Sequence, residues 1–97
     1  KSSTMAARSV RVVISGRVQG VGYRAWTVAT ARGFNLAGWV RNLSDGTVEA
    51  VFNGEETDVA HMLTACKRGP LVAKVSGIAE YPSDETPEGS FASRPTV

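Results

Sequence analysis

The chain has 97 residues, 42% of them hydrophobic and 21% charged, with a formal net charge of +2 and a single cysteine. That length suits one domain with a two-layer core. No apolar run approaches the ~20 residues of a membrane-spanning helix, and one cysteine excludes an intrachain disulfide.

The charge is unevenly placed. Every acid lies at or after Asp45, whereas Lys1, Arg8, Arg11, Arg17, Arg24, Arg32 and Arg41 precede it. The first half therefore carries a field that draws anions, either small phosphates or nucleic acid. The lone Cys66 is compatible with a reducing compartment, and a cytoplasmic location is expected.

Residues 1–4 read as an addition ahead of a start at Met5, and residues 1–7 are expected to lie outside the fold, with 8–97 forming a single domain. Val10, Val12 and Ile14 alternate with Arg11, Val13 and Ser15, which is a strand with one strongly apolar face. A glycine-rich loop, GRVQGVG, fills residues 16–22. A helix is predicted over residues 23–32, with Ala25, Val28 and Ala29 as its apolar stripe, Trp26 at the flank, Gly33 as the C′ glycine and Phe34 as the capping contact.

Residues 36–43 read as a second strand, Ser44-Asp45-Gly46 as a hairpin turn, and residues 47–53 as a third strand with Val48, Ala50 and Phe52 on one face. Asn53-Gly54 opens a second helix, with acids in its first turn, Lys67 and Arg68 in its last, and a core stripe of Val59, Met62, Leu63 and Cys66. Gly69-Pro70 stops it. A fourth strand is expected over residues 71–81 with a bulge at Gly77, then an acidic loop, then a short strand over 90–94 that Pro95 assigns to an edge. The order β-α-β-β-α-β with an extra short strand predicts an α+β, ferredoxin-like α/β sandwich: an antiparallel sheet with two helices on one face.

A strand that passes through a glycine-rich turn into a helix N-terminus presents unpaired backbone N–H groups where the helix dipole favours negative charge. Arg24 lies just inside that helix, with a fork of donors suited to phosphate oxygens. A Walker loop is excluded, since no Lys-Ser or Lys-Thr follows these glycines. Gly20, Gly22 and Ala25 fit a dinucleotide fingerprint, with Asp45 roughly 20 residues on. However, the second strand runs into a tight hairpin, and two helices cannot build a doubly wound sheet.

The block Gly16-Arg17-Val18-Gln19-Gly20-Val21-Gly22-Tyr23-Arg24, followed by Gly38-Trp39-Val40-Arg41-Asn42, resembles the acylphosphatase family, whose signatures are G-x-V-Q-G-V-x-[FY]-R and G-W-V-x-N. The resemblance runs from about residue 10 to 91. It implies metal-independent hydrolysis of a carboxyl-phosphate anhydride to a carboxylate and inorganic phosphate, without cofactor. It further implies that Arg24 binds the phosphoryl oxygens, that Asn42 orients the attacking water, and that Gln19, Gly20, Val21, Gly22 and Tyr23 hold the phosphate through their backbone N–H groups. Gln19 is left between contacting substrate and bracing the loop. Gly22 stands at the signature's variable position and would loosen the loop. The tail 93–97, with its proline, departs from the family and leaves a role for the C-terminus in doubt. The carbamoyl-transfer proteins of hydrogenase maturation carry a similar domain; a start at Met5 favours a stand-alone chain, expected to be a monomer with no membrane or nucleic-acid partner.

Elementary chemistry selects the same substrate class. The loop region contains no His, Asp, Glu, Lys or Cys to protonate a leaving group. An acyl phosphate needs none, because its leaving carboxylate has a conjugate-acid pKa of about 4. Trp26, Trp39 and Cys66 read as packing residues and His61 as solvent-facing. No cluster of His, Cys, Asp and Glu has metal-ligand spacing. The alternative is a non-catalytic phosphate or nucleic-acid binding module of the same fold.

Overall fold

Alternation builds the central strand. In the computed structural model, which describes residues 7–97, strand β1 (Ala7–Arg17) buries Val10, Val12 and Ile14 on one face. It begins at Ala7, paired with Glu55, one residue inside the stretch expected to lie outside the fold; the rest of that stretch lies outside the described residues. Helix α1 (Tyr23–Gly33) follows, then β2 (Ala37–Asn42), β3 (Val48–Glu55), helix α2 (Glu56–Arg68), β4 (Lys74–Pro82) and β5 (Ala92–Ser93). The strand order is β4-β1-β3-β2-β5. The first four strands pair antiparallel, whereas β5 runs parallel to β2, so the sheet is mixed and not wholly antiparallel. The architecture is the ferredoxin-like α+β sandwich, with β5 on the edge.

Register sets the core. Val10 faces Phe52, Val12 faces Ala50 and Ile14 faces Val48 across the β1–β3 ladder. Val59, Met62, Leu63 and Cys66 of α2 cover that surface. Each such aliphatic side chain, fully buried, contributes roughly 1.5–3 kcal/mol. The bulge expected at Gly77 falls one residue earlier: Gly77 lies opposite Ser15 and Val75 opposite Gly16, leaving Ser76 as the extra residue. Asn53 and Gly54 belong to β3, and the second helix starts at Glu56.

Helix α1 turns a different face inward from the expected one. Tyr23, Thr27 and Ala31 are buried, Val28 and Trp26 are half-buried, and Ala25 and Ala29 are exposed. Tyr23 sets this rotation. Its hydroxyl donates to the Cys66 carbonyl at 2.7 Å, which satisfies one of the orphan carbonyls in the last turn of α2. Its ring lies against Gly69, where a Cβ would sit 2.8 Å from Tyr23 Cε2. Thr27 enters the core by donating its hydroxyl to the Tyr23 carbonyl at 2.7 Å. The C′ position of α1 is Asn35 (φ 58), not Gly33. The Leu36 N–H bonds the Ala31 carbonyl and the Asn35 N–H bonds the Arg32 carbonyl, both at 3.0 Å, which is a Schellman pair.

The sheet face away from the helices is closed by charge. Glu49, 7% exposed, accepts from Arg11 at 2.9 Å and from the Arg41 guanidinium at 2.7 and 2.8 Å. Trp39 is only 3% exposed. Arg41 and Arg94 each lie 4.7 Å from its ring centroid, and its indole N–H donates to Glu85 at 3.0 Å. The acidic loop after β4 thus folds back over this face.

Two predictions follow from the Tyr23–Cys66 contact. Tyr23→Phe leaves a buried carbonyl unpaired and lowers stability by about 1–2 kcal/mol, read from the midpoint of urea unfolding. Burial pushes the Cys66 thiol up to about 12 and holds the Tyr23 phenol above its ordinary range. The unfolded chain therefore binds fewer protons above the thiol's ordinary 9.0, so stability is full below that pH and falls as pH rises towards 12. A urea midpoint that stays constant to about pH 11 would contradict this.

Candidate active site

The loop between β1 and α1 owes its shape to Gly20 and Gly22, with φ of 73° and 78°. Both lie in the left-handed region that costs an L side chain about 1 kcal/mol or more. Gly22 is the N-cap of α1, so glycine at this position serves the turn as well as leaving it open. The glycine cap has no side chain to accept from the first N–H groups, and no acid occupies the first turn. The helix N-terminus keeps its uncapped N–H groups and its positive dipole end for an anion.

A cleft of about 330 Å³ opens there, lined by Val18, Gly20, Gly22, Tyr23, Arg24, Ala25, Asn42 and Ser93. Arg24 and Asn42, eighteen positions apart in the chain (42 − 24), share this cleft because β2 returns beside α1. Arg24 is half-buried and pairs with no carboxylate among the described residues. Asn42 Oδ1 is buried with no hydrogen-bond partner. A buried acceptor in that state costs roughly 1–3 kcal/mol, which a donor entering the cleft would offset.

The five residues expected to hold phosphate divide. Gly20, Gly22 and Tyr23 line the cleft, and Gln19 and Val21 do not. Val21 packs against the core. The Gln19 side chain is turned to the β2–β3 hairpin, where Nε2 donates to the Leu43 carbonyl at 2.8 Å and the Thr47 carbonyl at 2.9 Å. The hairpin is closed by Asp45, whose carboxylate accepts the Thr47 hydroxyl at 2.6 Å and its N–H at 3.0 Å. These two bonds, the hydroxyl's first, hold the Asp45 carboxyl below its ordinary range.

Three lining residues carried no signal as site residues. Val18 lies within the loop and Ala25 in the first turn of α1. Ser93 reaches the cleft only because β5 pairs parallel to β2, placing it opposite Val40. The tail continues along β2 beyond Pro95: the Val97 N–H donates to the Asn42 carbonyl at 3.3 Å, and the Ser44 N–H donates to the Val97 carbonyl at 2.8 Å. The tail thus touches the backbone of Asn42, a role left in doubt by its sequence. Among the described residues, no group of three His, Cys, Asp or Glu could hold a metal ion.

Comparison with known proteins bears on this site. The family model described as acylphosphatase matches residues 10–93. An acylphosphatase of Rhodospirillum rubrum is 49% identical over 90 residues, covering 93% of this chain and 99% of that relative. The solved structure of an acylphosphatase from Coxiella burnetii superposes with a TM-score of 0.86 at 33% identity, covering 91% of this chain and 93% of that one. Full-length HypF, in its phosphate- and nucleotide-bound form, contains a segment with a TM-score of 0.87 at 24% identity; this chain covers 13% of that protein, and the likeness shows a shared fold.

An anion that binds this cleft stabilises the folded chain. Inorganic phosphate at a hundred times its Kd raises the unfolding free energy by about 2.7 kcal/mol, and the corresponding rise in Tm, read by differential scanning fluorimetry, disappears in Arg24→Ala.

Proposed function

The chain belongs to the acylphosphatase family, and on that premise we propose that the cleft between α1 and β2 hydrolyses carboxyl-phosphate anhydrides to a carboxylate and inorganic phosphate without a metal ion. The observation that carries the reading is that Asn42, whose buried Oδ1 has no partner among the described residues, lines the same cleft as Arg24.

In this mechanism the phosphoryl oxygens accept from the N–H groups around the start of α1 and from the Arg24 guanidinium. A water molecule donates one hydrogen to Asn42 Oδ1, which directs an oxygen lone pair at phosphorus. Asn42 cannot take a proton, so it positions the water and does not act as a base. The water oxygen bonds to phosphorus as the bond to the carboxylate oxygen breaks. The water's other proton passes to a phosphoryl oxygen, and the carboxylate leaves as an anion. No general acid enters, in keeping with a leaving group whose conjugate acid has a pKa of about 4.

Phosphoryl transfer asks chiefly for positioning and charge stabilisation. Charge-assisted bonds contribute about 1.5–3 kcal/mol each, and ~1.4 kcal/mol is tenfold in rate. Two or three that tighten in the transition state give on the order of a thousandfold. A cytoplasmic setting is part of the same proposal, supported by the single free thiol of Cys66, which is buried.

The test is hydrolysis of benzoyl phosphate with and without chelator. Chelator leaves the rate unchanged. Arg24→Ala lowers kcat/KM by on the order of a thousandfold with an unaltered circular dichroism spectrum. Asn42→Ala lowers kcat by about a hundredfold or more, with KM within a few-fold. Full activity in either variant overturns the assignment, as does a rate that follows the titration of a protein carboxylate. Phosphate binding without turnover would favour a non-catalytic binding module.

A further inference from the structure

We propose that Gln19 is a positioning residue: its carboxamide sets the separation between the phosphate loop and Asn42, and it acts on turnover through Asn42 without touching substrate. The inference rests on the mechanism proposed for the cleft.

Both protons of the Gln19 amide are committed. Nε2 donates to the Leu43 carbonyl at 2.8 Å and to the Thr47 carbonyl at 2.9 Å. Both partners are backbone acceptors, so only the –NH2 end of the side chain can face them. A glutamate of the same length could make neither bond. Gln19 does not line the cleft, so its effect on chemistry has to pass through what it holds.

The target is rigid before Gln19 reaches it. The Leu43 carbonyl already accepts the Gly46 N–H at 3.2 Å, and the Thr47 carbonyl already accepts the Leu43 N–H at 2.9 Å. Asp45 closes the same turn through Thr47. Asn42, directly before Leu43, is held on its two sides by Val48 of β3 and by the tail at Val97. The loop side is the soft partner, since Gly20 and Gly22 both take positive φ and glycine backbone is the most freely deformed. Without the amide, the loop is tied to Asn42 through the sheet, from Ile14 of β1 across Val48 of β3 to Asn42 of β2. With it, the path is one side chain and one peptide unit. A displacement near 1 Å between reacting groups can cost about a hundredfold in rate.

The experiment is a double-mutant cycle on benzoyl phosphate hydrolysis with Gln19→Ala and Asn42→Ala, alongside the inhibition constant for inorganic phosphate. Gln19→Ala is expected to lower kcat by about ten- to a hundredfold, with the phosphate constant within about threefold. In the Asn42→Ala background the same change costs less than about twofold. Gln19→Glu behaves as Gln19→Ala despite its matched length. Wild-type kcat in Gln19→Ala, or an equal loss in both backgrounds, overturns the proposal. Should Gln19→Ala fail to fold, Gln19→Met keeps the length without the donors and is read in its place. Full activity of Asn42→Ala alone would instead sink the mechanism for the cleft, so the two failures are distinguishable.

Discussion

The rotation of α1 about its axis is the constraint on which the rest depends. Tyr23 fixes it by closing a hydrogen bond to the last turn of α2 and by laying its ring on Gly69. With Tyr23 buried, the next residues have no freedom in where they point. Arg24 and Ala25 turn to the cleft, while Thr27 and Ala31, four and eight positions on, turn to the core. The N–H groups of a helix N-terminus act together only if the first turn is aimed, and here the aim is set by a residue whose hydroxyl bonds the last turn of α2.

The cleft is assembled from pieces that stay in place for different physical reasons. The loop is shaped by glycine backbone, the first turn of α1 by Tyr23, Asn42 by its ladder with β3, and Ser93 by a short parallel pairing at the sheet edge. On the opposite face of the sheet, Arg11 and Arg41 enclose the Glu49 carboxylate. A cluster of this kind is a weak source of net stability, because desolvation of Glu49 cancels much of the attraction and the two arginines stay partly in water. It occupies two of the first-half arginines, and Arg8 pairs with Glu80. The basic bias of the first half thus reduces, near the loop, chiefly to Arg17 and Arg24. The cleft brings together, among the described residues, a cation without a carboxylate and a residue whose buried acceptor has no donor.

Much was readable from local order. Alternation at residues 10–14 and the stripe at Val59, Met62, Leu63 and Cys66 mark their elements directly, since burial on a strand or helix imposes a period. The glycine spacing marks the turn ahead of α1, since positive φ is a property of single residues. Arg24 and Asn42 stand out through two short blocks in a fixed order, and the chain brings them into one cleft. The buried face of α1 differs from its apolar stripe because period gives spacing but not phase. Ala25 and Ala29 satisfy the apolar pattern as well as Tyr23, Thr27 and Ala31 do, until a tyrosine hydroxyl finds a carbonyl 43 residues away.

The sequence by itself therefore determined the order of elements, the antiparallel core and the glycine turn ahead of α1, because each follows from contacts within a turn or along one strand. Only the tertiary structure decided that Gln19 faces a hairpin and not the cleft, that Asn35 and not Gly33 ends α1, that β5 runs parallel, and that the tail reaches the backbone of Asn42. The physical reason is common to most of these. A polar side chain or an edge strand takes its place from the partner it meets, and that partner lies tens of residues away, beyond the reach of any local pattern.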